Sequence, residues 1–492
     1  MPARFSFDNS YRRLSDRFHA RIPPTPVAEP GLVALNLPLA AELGLDLAAA
    51  DRAELAQLLA GNRLPEGAEP IAMAYAGHQF GHFVPQLGDG RAILLGEVLG
   101  HDGRRHDIQL KGAGPTPFSR SGDGRAALGP ALREYIVSEA MHALGIPTTR
   151  SLAVVTTGEP VYRDRALPGA VLTRVAASHV RVGTFEYFSA RGDEAAIREL
   201  VDYVVLRLYP AAAEAERPAL ALLEAVIERQ ARLVAQWMHV GFIHGVMNTD
   251  NMAISGETID YGPCAFMDEY DPATVFSSID RGGRYAWGNQ PRIAQWNLAR
   301  LAETLLPLID ADQAVAIERS NALLNGFAAA FEQHWQAGLR HKLGLVTQET
   351  GDTALIEELL AAMQAAAADF TLTFRRLCDA AEDAAADKEL RSLFNEPAAF
   401  DRWAVRWRER LARDPQSPAA RARQMRRSNP AFIPRNHRVE QALAAAVEHG
   451  DFTPFNALLA VLARPYEDAP EHAAYATPPQ SDERVLQTFC GT

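Results

Sequence analysis

The chain has 492 residues, of which 48% are hydrophobic and 22% are charged, and its formal net charge at pH 7 is −12. This composition is typical of a globular protein with a sizeable core, and the length predicts two or three compact units or one elaborated domain. The negative charge argues against a general nucleic-acid binder, which needs a concentrated basic face. We therefore expect no nucleic-acid partner.

The N-terminal segment and the cysteines bear on the cellular compartment. The segment "MPARFSFDNSYRRLSDRF" carries charges where a signal peptide needs an apolar run, and no later segment approaches a membrane span. Cys264, Cys378 and Cys490 show no framework of paired spacings, which favours a reducing compartment. We expect a cytoplasmic protein without a membrane partner.

Short segments rich in β-branched residues, separated by Gly and Pro, predict strands before residue 195: "RAILLGEVL", "HDIQLKG", "SLAVVTT", "PVYRD" and "GAVLTRVA". One helix is predicted among them, in "GPALREYIVSEAMHALGIP", with Pro130 near its start and Gly145 at its end. After residue 195 helical periodicity dominates, as in "ALALLEAVIERQARLVAQWMHVG" and "AIERSNALLNGFAAAFEQHWQAGL". This order predicts an α+β fold with two lobes and a cleft between them.

Arginines crowd the segment from residue 402 to residue 438. Such a run usually forms a solvated helix face that pairs with the protein's own acids. A surface for an acidic partner is the alternative.

Two pairs of features in the first part indicate nucleotide binding. Lys111 ends a predicted strand and Glu134 lies on the following helix, as in the ion pair that orients nucleotide phosphates in protein kinases. The turn in "QLGDGRAILLGEV" and the turn in "SRSGDGRAALG" both contain Gly-Asp-Gly, which allows close approach to a phosphate. A simple hairpin turn remains the alternative for the first of them, because Asp-Gly is a favoured hairpin dipeptide.

The stretch "FIHGVMNTDNMAI" has the spacing of a small-molecule kinase catalytic loop, with Val246 in place of the usual Asp. Downstream, "AISGETIDYG" predicts a short hairpin followed by a variant of the Asp-Phe-Gly triplet, in which Asp260 is the acid. Asn251 and Asp260 carry hard oxygen ligands suited to a cation that bridges phosphates. Each could be a turn residue, but Lys111, Glu134, Asn251 and Asp260 stand in kinase order.

Four segments together resemble the selenoprotein O (SelO) family of pseudokinase-like protein adenylyltransferases. They are "YAGHQFGHFVPQLGDGRAILLGE", "QLKGAGPTPFSRSGDGRAALGPALREYIVSEAMHALGIPTTRSLAVV", "HGVMNTDNM" and "IDYGPCAFMDEYDP", with a weaker match in "RSNPAFIPRNHRVEQAL". The resemblance implies a protein-kinase-like two-lobed fold, a pseudokinase, with additional C-terminal helices. Family members bind ATP turned around relative to kinases, so that the α-phosphorus lies beside the acceptor and AMP is transferred to a protein hydroxyl.

The change from short strands to long helices near residue 195, taken with the resemblance, predicts a division of the chain into three parts. An N-terminal extension and a strand-rich nucleotide-binding lobe would occupy residues 1–195. A helical lobe with the catalytic loop and the metal site would occupy 196–300. A helical C-terminal extension of the larger lobe and a flexible tail would occupy 301–492.

Carried over residue by residue, the resemblance implies a set of nucleotide-binding residues: Gly88, Gly90, Arg91, Lys111, Asp123, Gly124, Glu134, Arg174 and Arg181. Within this set Glu134 would hold Lys111, and the last two arginines would clamp the terminal phosphates. Asp250 would accept the proton, and Asn251 and Asp260 would bind Mg²⁺ or Mn²⁺, with ATP as co-substrate. By residue chemistry alone, a third metal ligand or a turn residue stays open for Asp250.

The histidine and cysteine residues give weaker indications of function than the motifs above. His78 and His82 have a spacing that suits zinc on a helix, but Gly77 and Gly81 make a helix poor there. Cys490 stands where the SelO family has selenocysteine or cysteine. A redox link from Cys490 to Cys264 is a hypothesis, with an ordinary tail cysteine as its alternative.

We predict a protein nucleotidyltransferase that moves AMP from ATP to Ser, Thr or Tyr hydroxyls of proteins, releasing pyrophosphate, with self-modification as one candidate reaction. Transfer of UMP from UTP is a close variant. A phosphotransferase with Asp250 as a relocated base is the first alternative. A non-catalytic nucleotide-binding scaffold, which the missing Asp would permit, is the second.

Overall fold

The computed structural model describes residues 5–489. The hypothesis of a redox link to Cys490 therefore lies outside the described residues. Its proposed partner, Cys264, is buried and forms no disulfide with Cys378, the other cysteine that the structure describes. Burial raises the pKa of Cys264 to about 12, which disfavours the reactive thiolate.

Most of the strands form one antiparallel sheet. In chain order the strands are β1 (His19–Arg21), β2 (Gly31–Leu35), β3 (Ile71–Met73), β4 (Gly77–Gln79), β5 (His82–Val84), β6 (Ala92–Leu99), β7 (Arg105–Lys111), β8 (Ala126–Ala127), β9 (Arg150–Tyr162), β10 (Ala166–Ala176), β11 (Phe242–Ile243) and β12 (Ala265–Phe266). The sheet has the order β1-β3-β6-β7-β10-β9-β2, with β8 beside β10, whereas β4 with β5 and β11 with β12 form separate pairs. The segment "SLAVVTT" and the first three residues of "PVYRD" belong to one strand, β9.

Helices dominate after the sheet. They are α1 (Leu37–Glu42), α2 (Arg52–Leu59), α3 (Leu128–Ala143), α4 (Val182–Ser189), α5 (Glu194–Leu208), α6 (Pro218–His239), α7 (Gln290–Ile309), α8 (Gln313–Lys342), α9 (Asp352–Ala366), α10 (Phe370–Glu382), α11 (Asp387–Arg391), α12 (Pro397–Arg413), α13 (Pro418–Ser428), α14 (Asn436–His449), α15 (Thr453–Leu462) and α16 (Ala473–Ala476). The predicted helices correspond to α3, α6 and α8. The mixed, segregated α+β architecture that the sequence predicts is thus present.

The sheet separates two apolar cores because successive side chains of a strand point to opposite faces. On β10, Val171 and Val175 join the core that contains α1 and α2. Ala170 and Leu172 join the opposite core, which contains α3. A third and larger core is built by the helices around α6.

Residues 301–489 do not pack on the helical part alone. Helices α14 and α15 return to the sheet and pack against α3, where Leu443 and Phe455 join Leu132 and Ile136 in one core. The final described segment then runs beside the loop after β12. There the Thr488 backbone N–H donates to the Phe276 carbonyl at 2.7 Å. The Thr488 hydroxyl donates to the Pro263 carbonyl, just before β12, at 2.6 Å.

The arginine run on α12 and α13 pairs mostly with acids of this chain. Ion pairs join Arg410 to Asp352 at 2.7 Å, Arg413 to Glu349 at 2.8 Å and Arg426 to Asp379 at 2.6 Å. These contacts agree with the first interpretation of the run, in which a helix face pairs with the protein's own acids.

The predicted hairpin in "AISGETIDYG" is wrong. Ala253 forms an isolated bridge with Arg181, and Thr258 forms one with Thr148. The backbone of the segment pairs with other parts of the fold. The alternation of residue types within the segment carries no information about such distant partners. Among residues 5–489, no helix has both the length and the apolar character needed to cross a bilayer.

Candidate active site

A cavity of about 720 Å³ is lined jointly by the strand-rich part and by the loop that follows β11. Its volume is that of a pocket for a nucleotide-sized ligand. The predicted site residues that line it are Gly88, Gly90, Arg91, Lys111, Asp123, Gly124, Arg174, Arg181, Asp250, Asn251 and Asp260. Glu134 is bonded to one of them, Lys111, so the structure brings the whole predicted set together.

Two neighbouring strands place Lys111 and Arg174, two of the cations that line the cavity. Lys111 is the last residue of β7, and Arg174 of β10 lies opposite Gln109 of β7. Because residues two apart on a strand share a face, Gln109 and Lys111 point to the same side of the sheet. Gln109 Oε1 accepts a hydrogen bond of 2.7 Å from Arg174 Nη2. Sequence analysis missed Gln109, although its spacing from Lys111 is a usable signal.

Lys111 stands at the centre of a four-residue charge cluster. Its Nζ donates to Glu134 Oε2 at 2.6 Å and to Asp260 Oδ1 at 2.7 Å. Arg174 Nη1 lies 3.2 Å from Glu134 Oε1 and 3.8 Å from Asp260 Oδ1. Two cations therefore face two carboxylates, and an entering triphosphate would compete with those carboxylates for the cations.

The charge cluster keeps both of its carboxyl groups ionised. Burial by itself would raise the pKa of Glu134, but the charges of Lys111 and Arg174 hold it below the usual value. Burial acts in the same direction on Asp260, and the same two cations hold the pKa of Asp260 far below the usual value. Both carboxylates are consequently available as anions at neutral pH.

The first glycine turn is shaped by packing as well as by backbone conformation. Gly88 has φ +69°, and a Cβ atom there would overlap the ring of Phe118. A Cβ atom at Gly90 would lie 2.9 Å from the Phe118 carbonyl oxygen. Glycine at these positions lets the loop that contains Phe118 close over the turn at the cavity wall.

The second glycine turn lies at the exposed rim of the cavity. Asp123 there accepts two hydrogen bonds from Arg163, at 2.8 Å and 3.1 Å. These bonds hold the pKa of Asp123 below the usual value. Gly124 has φ +66° and lies against the backbone of Gly114. Arg163, which also lines the cavity, was missed because it follows β9 without a recognisable motif.

The loop after β11 is held by buried hydrogen bonds. His244 Nε2 donates to the Ile259 carbonyl at 2.9 Å, and burial lowers the pKa of His244. The carbonyl of Val246 accepts a hydrogen bond of 3.1 Å from Asn251 Nδ2. Asp260 adopts φ +67°, a left-handed conformation that is uncommon outside glycine, and this brings its carboxylate to Lys111.

Asp250 lies in a short 3₁₀ turn (Thr249–Asn251) and is only 7% exposed. Its backbone carbonyl accepts a hydrogen bond of 2.8 Å from Arg181 Nη1. Its carboxylate Oδ2 accepts one of 3.3 Å from Gln79 Nε2. Burial raises the pKa of Asp250 to about 6, which suits a carboxylate that takes up a proton at neutral pH.

Comparison with known proteins places the chain in a family. The family described as "Protein adenylyltransferase SelO" matches residues 3–463. The chain belongs to the SelO family. Three similar proteins are each named "Protein nucleotidyltransferase YdiU". The one from Rhizobium etli strain CIAT 652 is 66% identical over 490 residues, which cover 100% of this chain and 98% of the relative. The one from Rhizobium meliloti strain 1021 is 66% identical over 488 residues (99% of each chain), and the one from Bradyrhizobium sp. strain BTAi1 is 67% identical over 492 residues (100% of each chain).

Membership of the SelO family confirms the resemblance that the sequence motifs indicate. It also establishes that the chain is an enzyme and that its activity is protein nucleotidyl transfer. The nucleotide is therefore a substrate, and the cavity with its cations is the part of the structure suited to bind it.

Nucleotidyl transfer by the SelO family calls for a divalent cation in the way that phosphoryl transfer does, and the side chains present fit one. Asn251 commits its amide nitrogen to Val246, which leaves its carbonyl oxygen for a cation. Asp260 accepts the hydrogen bond from Lys111 through Oδ1, which leaves Oδ2 for a cation. Mg²⁺ is usually held by one or two such oxygens together with substrate phosphates and water.

The histidines of "GHQFGHF" lie in the β4–β5 hairpin instead of a helix. His78 Nδ1 lies 2.5 Å from Glu186 Oε1, so this ring is engaged by a carboxylate of α4. His82 is exposed on β5. In the described part of the chain, no group of three or more His, Cys, Asp or Glu side chains is arranged to hold a metal ion.

Proposed function

We propose that the chain transfers AMP from ATP to Ser, Thr or Tyr hydroxyls of protein substrates, with this chain itself as one candidate substrate. One observation carries the proposal: Lys111, Glu134, Arg174 and Asp260 form a single charge cluster in a cavity that also contains Asp250 and Asn251. That arrangement provides cations for a triphosphate and a buried carboxylate for a proton.

In the proposed reaction the acceptor hydroxyl oxygen attacks the α-phosphorus of ATP. A bond forms between these two atoms, and the bond from the α-phosphorus to the oxygen that bridges to the β-phosphate breaks. The hydroxyl proton passes to Asp250, and pyrophosphate leaves with the electron pair of the broken bond. Lys111, Arg174 and Arg181 stabilise the negative charge on the leaving group.

The remaining proposed nucleotide contacts are made by residues that line the cavity. Gly88, Gly90 and Arg91 present the first glycine turn to the phosphates, and Asp123 with Gly124 presents the second. Glu134 acts through Lys111, whose ammonium group it orients. A bound nucleotide releases Lys111 from Asp260, so the proposed contacts exchange one set of charge pairs for another.

Asn251 and Asp260 would hold the divalent cation, Mg²⁺ or Mn²⁺. When bound, such a cation neutralises phosphate charge and orients the phosphates. The chain's contribution is the placement of two hard oxygen donors beside the cationic residues. Release of Asp260 Oδ1 from Lys111 frees both carboxylate oxygens for this role.

We also infer a protein-kinase-like, two-lobed arrangement. Lys111 on a strand, Glu134 on the next helix, and Asn251 and Asp260 on the loops after β11 support it, because kinases use this order and pairing. The inferred parts are a strand-rich lobe over residues 1–195, a helical lobe over 196–300 and a helical extension over 301–492, of which α14 and α15 contact the first lobe.

The test compares transfer of label from ATP carrying ³²P at the α-position with transfer from ATP carrying it at the γ-position. Wild type, Asp260→Ala and the exposed control Asp202→Ala are incubated with a protein acceptor mixture and Mg²⁺ or Mn²⁺. We expect protein labelling from the α-position alone, abolished in Asp260→Ala and retained in Asp202→Ala. Equal labelling in a parallel reaction with α-labelled UTP would extend the activity to UMP transfer.

Labelling from the γ-position would replace the proposal with phosphotransfer through a relocated base. Absence of labelling from both positions, with nucleotide binding intact, would replace it with a binding scaffold. Labelling of the enzyme in the absence of acceptor proteins would identify self-modification.

A further inference from the structure

The β4–β5 hairpin lies directly on the loop that carries Asp250. Three consecutive residues of the hairpin donate hydrogen bonds to three consecutive residues of the loop: His78 N to Thr249 Oγ1 at 2.7 Å, Gln79 Nε2 to Asp250 Oδ2 at 3.3 Å and Phe80 N to Asn248 Oδ1 at 3.0 Å. The established activity does not by itself account for this attachment, and the two histidines that make the hairpin conspicuous in the sequence do not line the cavity.

Glycine allows the hairpin to approach the loop this closely. A Cβ atom at Gly77 would lie 2.7 Å from Asp250 Oδ1, inside van der Waals contact. A Cβ atom at Gly183, at the start of α4, would overlap the Ala76 carbonyl oxygen. The backbone at Gly77 and the backbone at Gly183 therefore pack against the Asp250 region so closely that neither position has space for a side chain.

A single carboxylate anchors both the hairpin and the loop. Glu186 of α4 is 4% exposed, and its two oxygens bind different partners. Oε1 lies 2.5 Å from His78 Nδ1, and Oε2 accepts from the Thr249 hydroxyl at 2.5 Å. Because α4 holds both elements through one side chain, the hairpin keeps a fixed position relative to the residue that precedes Asp250.

These contacts leave the two carboxylate oxygens of Asp250 in different surroundings. Oδ1 is buried beside Gly77 and has no hydrogen-bond partner among residues 5–489. Oδ2 is therefore the oxygen that an acceptor hydroxyl in the cavity can reach. Gln79, which also lines the cavity, donates to Oδ2. A carboxylate oxygen accepts two hydrogen bonds, so one position on Oδ2 remains for the hydroxyl.

We propose that Gln79 is a positioning residue for the transfer reaction and that the β4–β5 hairpin exists to carry it. Its amide fixes the rotation of the Asp250 carboxylate and keeps Oδ2 directed at the acceptor hydroxyl. Without the amide, the carboxylate turns about its terminal torsion, and fewer encounters lead to proton transfer. This inference rests on the proposed role of Asp250 as proton acceptor.

The test is a double-mutant cycle between Gln79 and Asp250, read out as α-label transfer to protein acceptors. Gln79→Met keeps the length of the side chain and removes the donor. We expect kcat to fall about tenfold, with KM for ATP and the unfolding midpoint unchanged, because one hydrogen bond to a charged group is lost. In the Asp250→Asn background the same substitution should cause no further fall, because Gln79 acts through Asp250.

Gln86→Met is the matched control, since Gln86 is exposed on the chain just after the hairpin and does not line the cavity. Gln79→Asn, whose amide is one methylene too short to reach, provides a second variant that should behave as Gln79→Met does. An equal fall in both backgrounds, a wild-type kcat, or a raised KM with unchanged kcat would each overturn the inference. Full activity in Asp250→Asn alone would instead overturn the assignment of Asp250 on which it rests.

Discussion

Lys111 Nζ lies 2.7 Å from Asp260 Oδ1, which joins two residues 149 positions apart in the chain. The bond links the end of β7 to the loop after β11, across the cavity that the two parts of the molecule share. The lysine and the aspartate neutralise each other. The proposed reaction uses the lysine for phosphate and the aspartate for a metal ion, so a nucleotide in the cavity would compete with this bond.

Lys111→Met should abolish most of the transfer activity. The substitution removes the cation that faces both Glu134 and Asp260 and leaves Arg174 as their remaining cation within the charge cluster. We expect the rate of α-label transfer to fall by about a hundredfold or more and the Kd for ATP to rise. The exposed Lys388→Met should retain wild-type values. A Lys111→Met enzyme with wild-type transfer would refute the assignment of this cluster to the phosphates.

Gly88→Ala should disturb the cavity more than its backbone conformation alone requires. The positive φ costs about 1 kcal/mol for alanine, and the new methyl group must also displace Phe118. We expect a loss in the free energy of unfolding above about 1 kcal/mol, measured in urea, together with weaker ATP binding.

Gly103→Ala separates these two effects. Gly103 has φ +73°, and apart from Gly103 and its two neighbours in the chain, no described residue has an atom within 4 Å of the position that an alanine methyl group would take. This variant should therefore show the backbone cost alone and normal ATP binding. Adding Phe118→Ala to Gly88→Ala should relieve the overlap and recover part of the stability. Identical losses at both glycines would show that the Phe118 contact is unimportant.

Arg163→Gln should weaken nucleotide binding without unfolding the protein. Arg163 holds Asp123 at the rim through hydrogen bonds of 2.8 Å and 3.1 Å, and a rim ion pair contributes only about 0–1 kcal/mol to stability. We expect a rise of severalfold in the Kd for ATP, an unchanged unfolding midpoint, and an Asp123 pKa closer to the usual value. Arg165→Gln, at an exposed neighbouring position, should bind ATP normally; equal Kd values for the two variants would contradict the role given to this rim.

Lys342→Met should stabilise the protein, and most strongly at low pH. Lys342 is 3% exposed, its Nζ lies 4.3 Å from the centre of the Phe374 ring, and burial lowers its pKa to about 7. Between about pH 7 and 10.5 the unfolded chain binds a proton here that the folded chain does not, so wild-type stability rises with pH across this window.

Lys342→Met should therefore raise the free energy of unfolding by a value on the order of 2 kcal/mol below pH 7. This increase should become smaller as the pH rises toward 10.5. Urea unfolding of wild type, Lys342→Met and Lys388→Met at pH 6, 8 and 10 measures it. The exposed Lys388→Met should change stability by a few tenths of a kcal/mol at each pH. A gain in Lys342→Met that does not vary with pH would mean that Lys342 is charged when folded.

Much of the local structure can be predicted from short-range patterns. The strands β6, β7 and β10 and the helices α3, α6 and α8 follow from period and from Gly and Pro punctuation. The chemistry of the site can also be predicted, because Lys111, Glu134, Asn251 and Asp260 stand in the order of the kinase motifs. The failed hairpin in "AISGETIDYG" shows the limit: its residues pair with Arg181 and Thr148 instead of with each other.

Residue type, period and motif were enough to predict most element types, the family and the charged residues that line the cavity. Three contacts became visible in the folded chain: Gly88 leaves space for Phe118, Arg163 holds Asp123, and Gln79 reaches Asp250 from 171 residues away. These contacts join segments that share no local pattern. Their existence depends on how the sheet and the helices pack, and packing is a property of the whole chain.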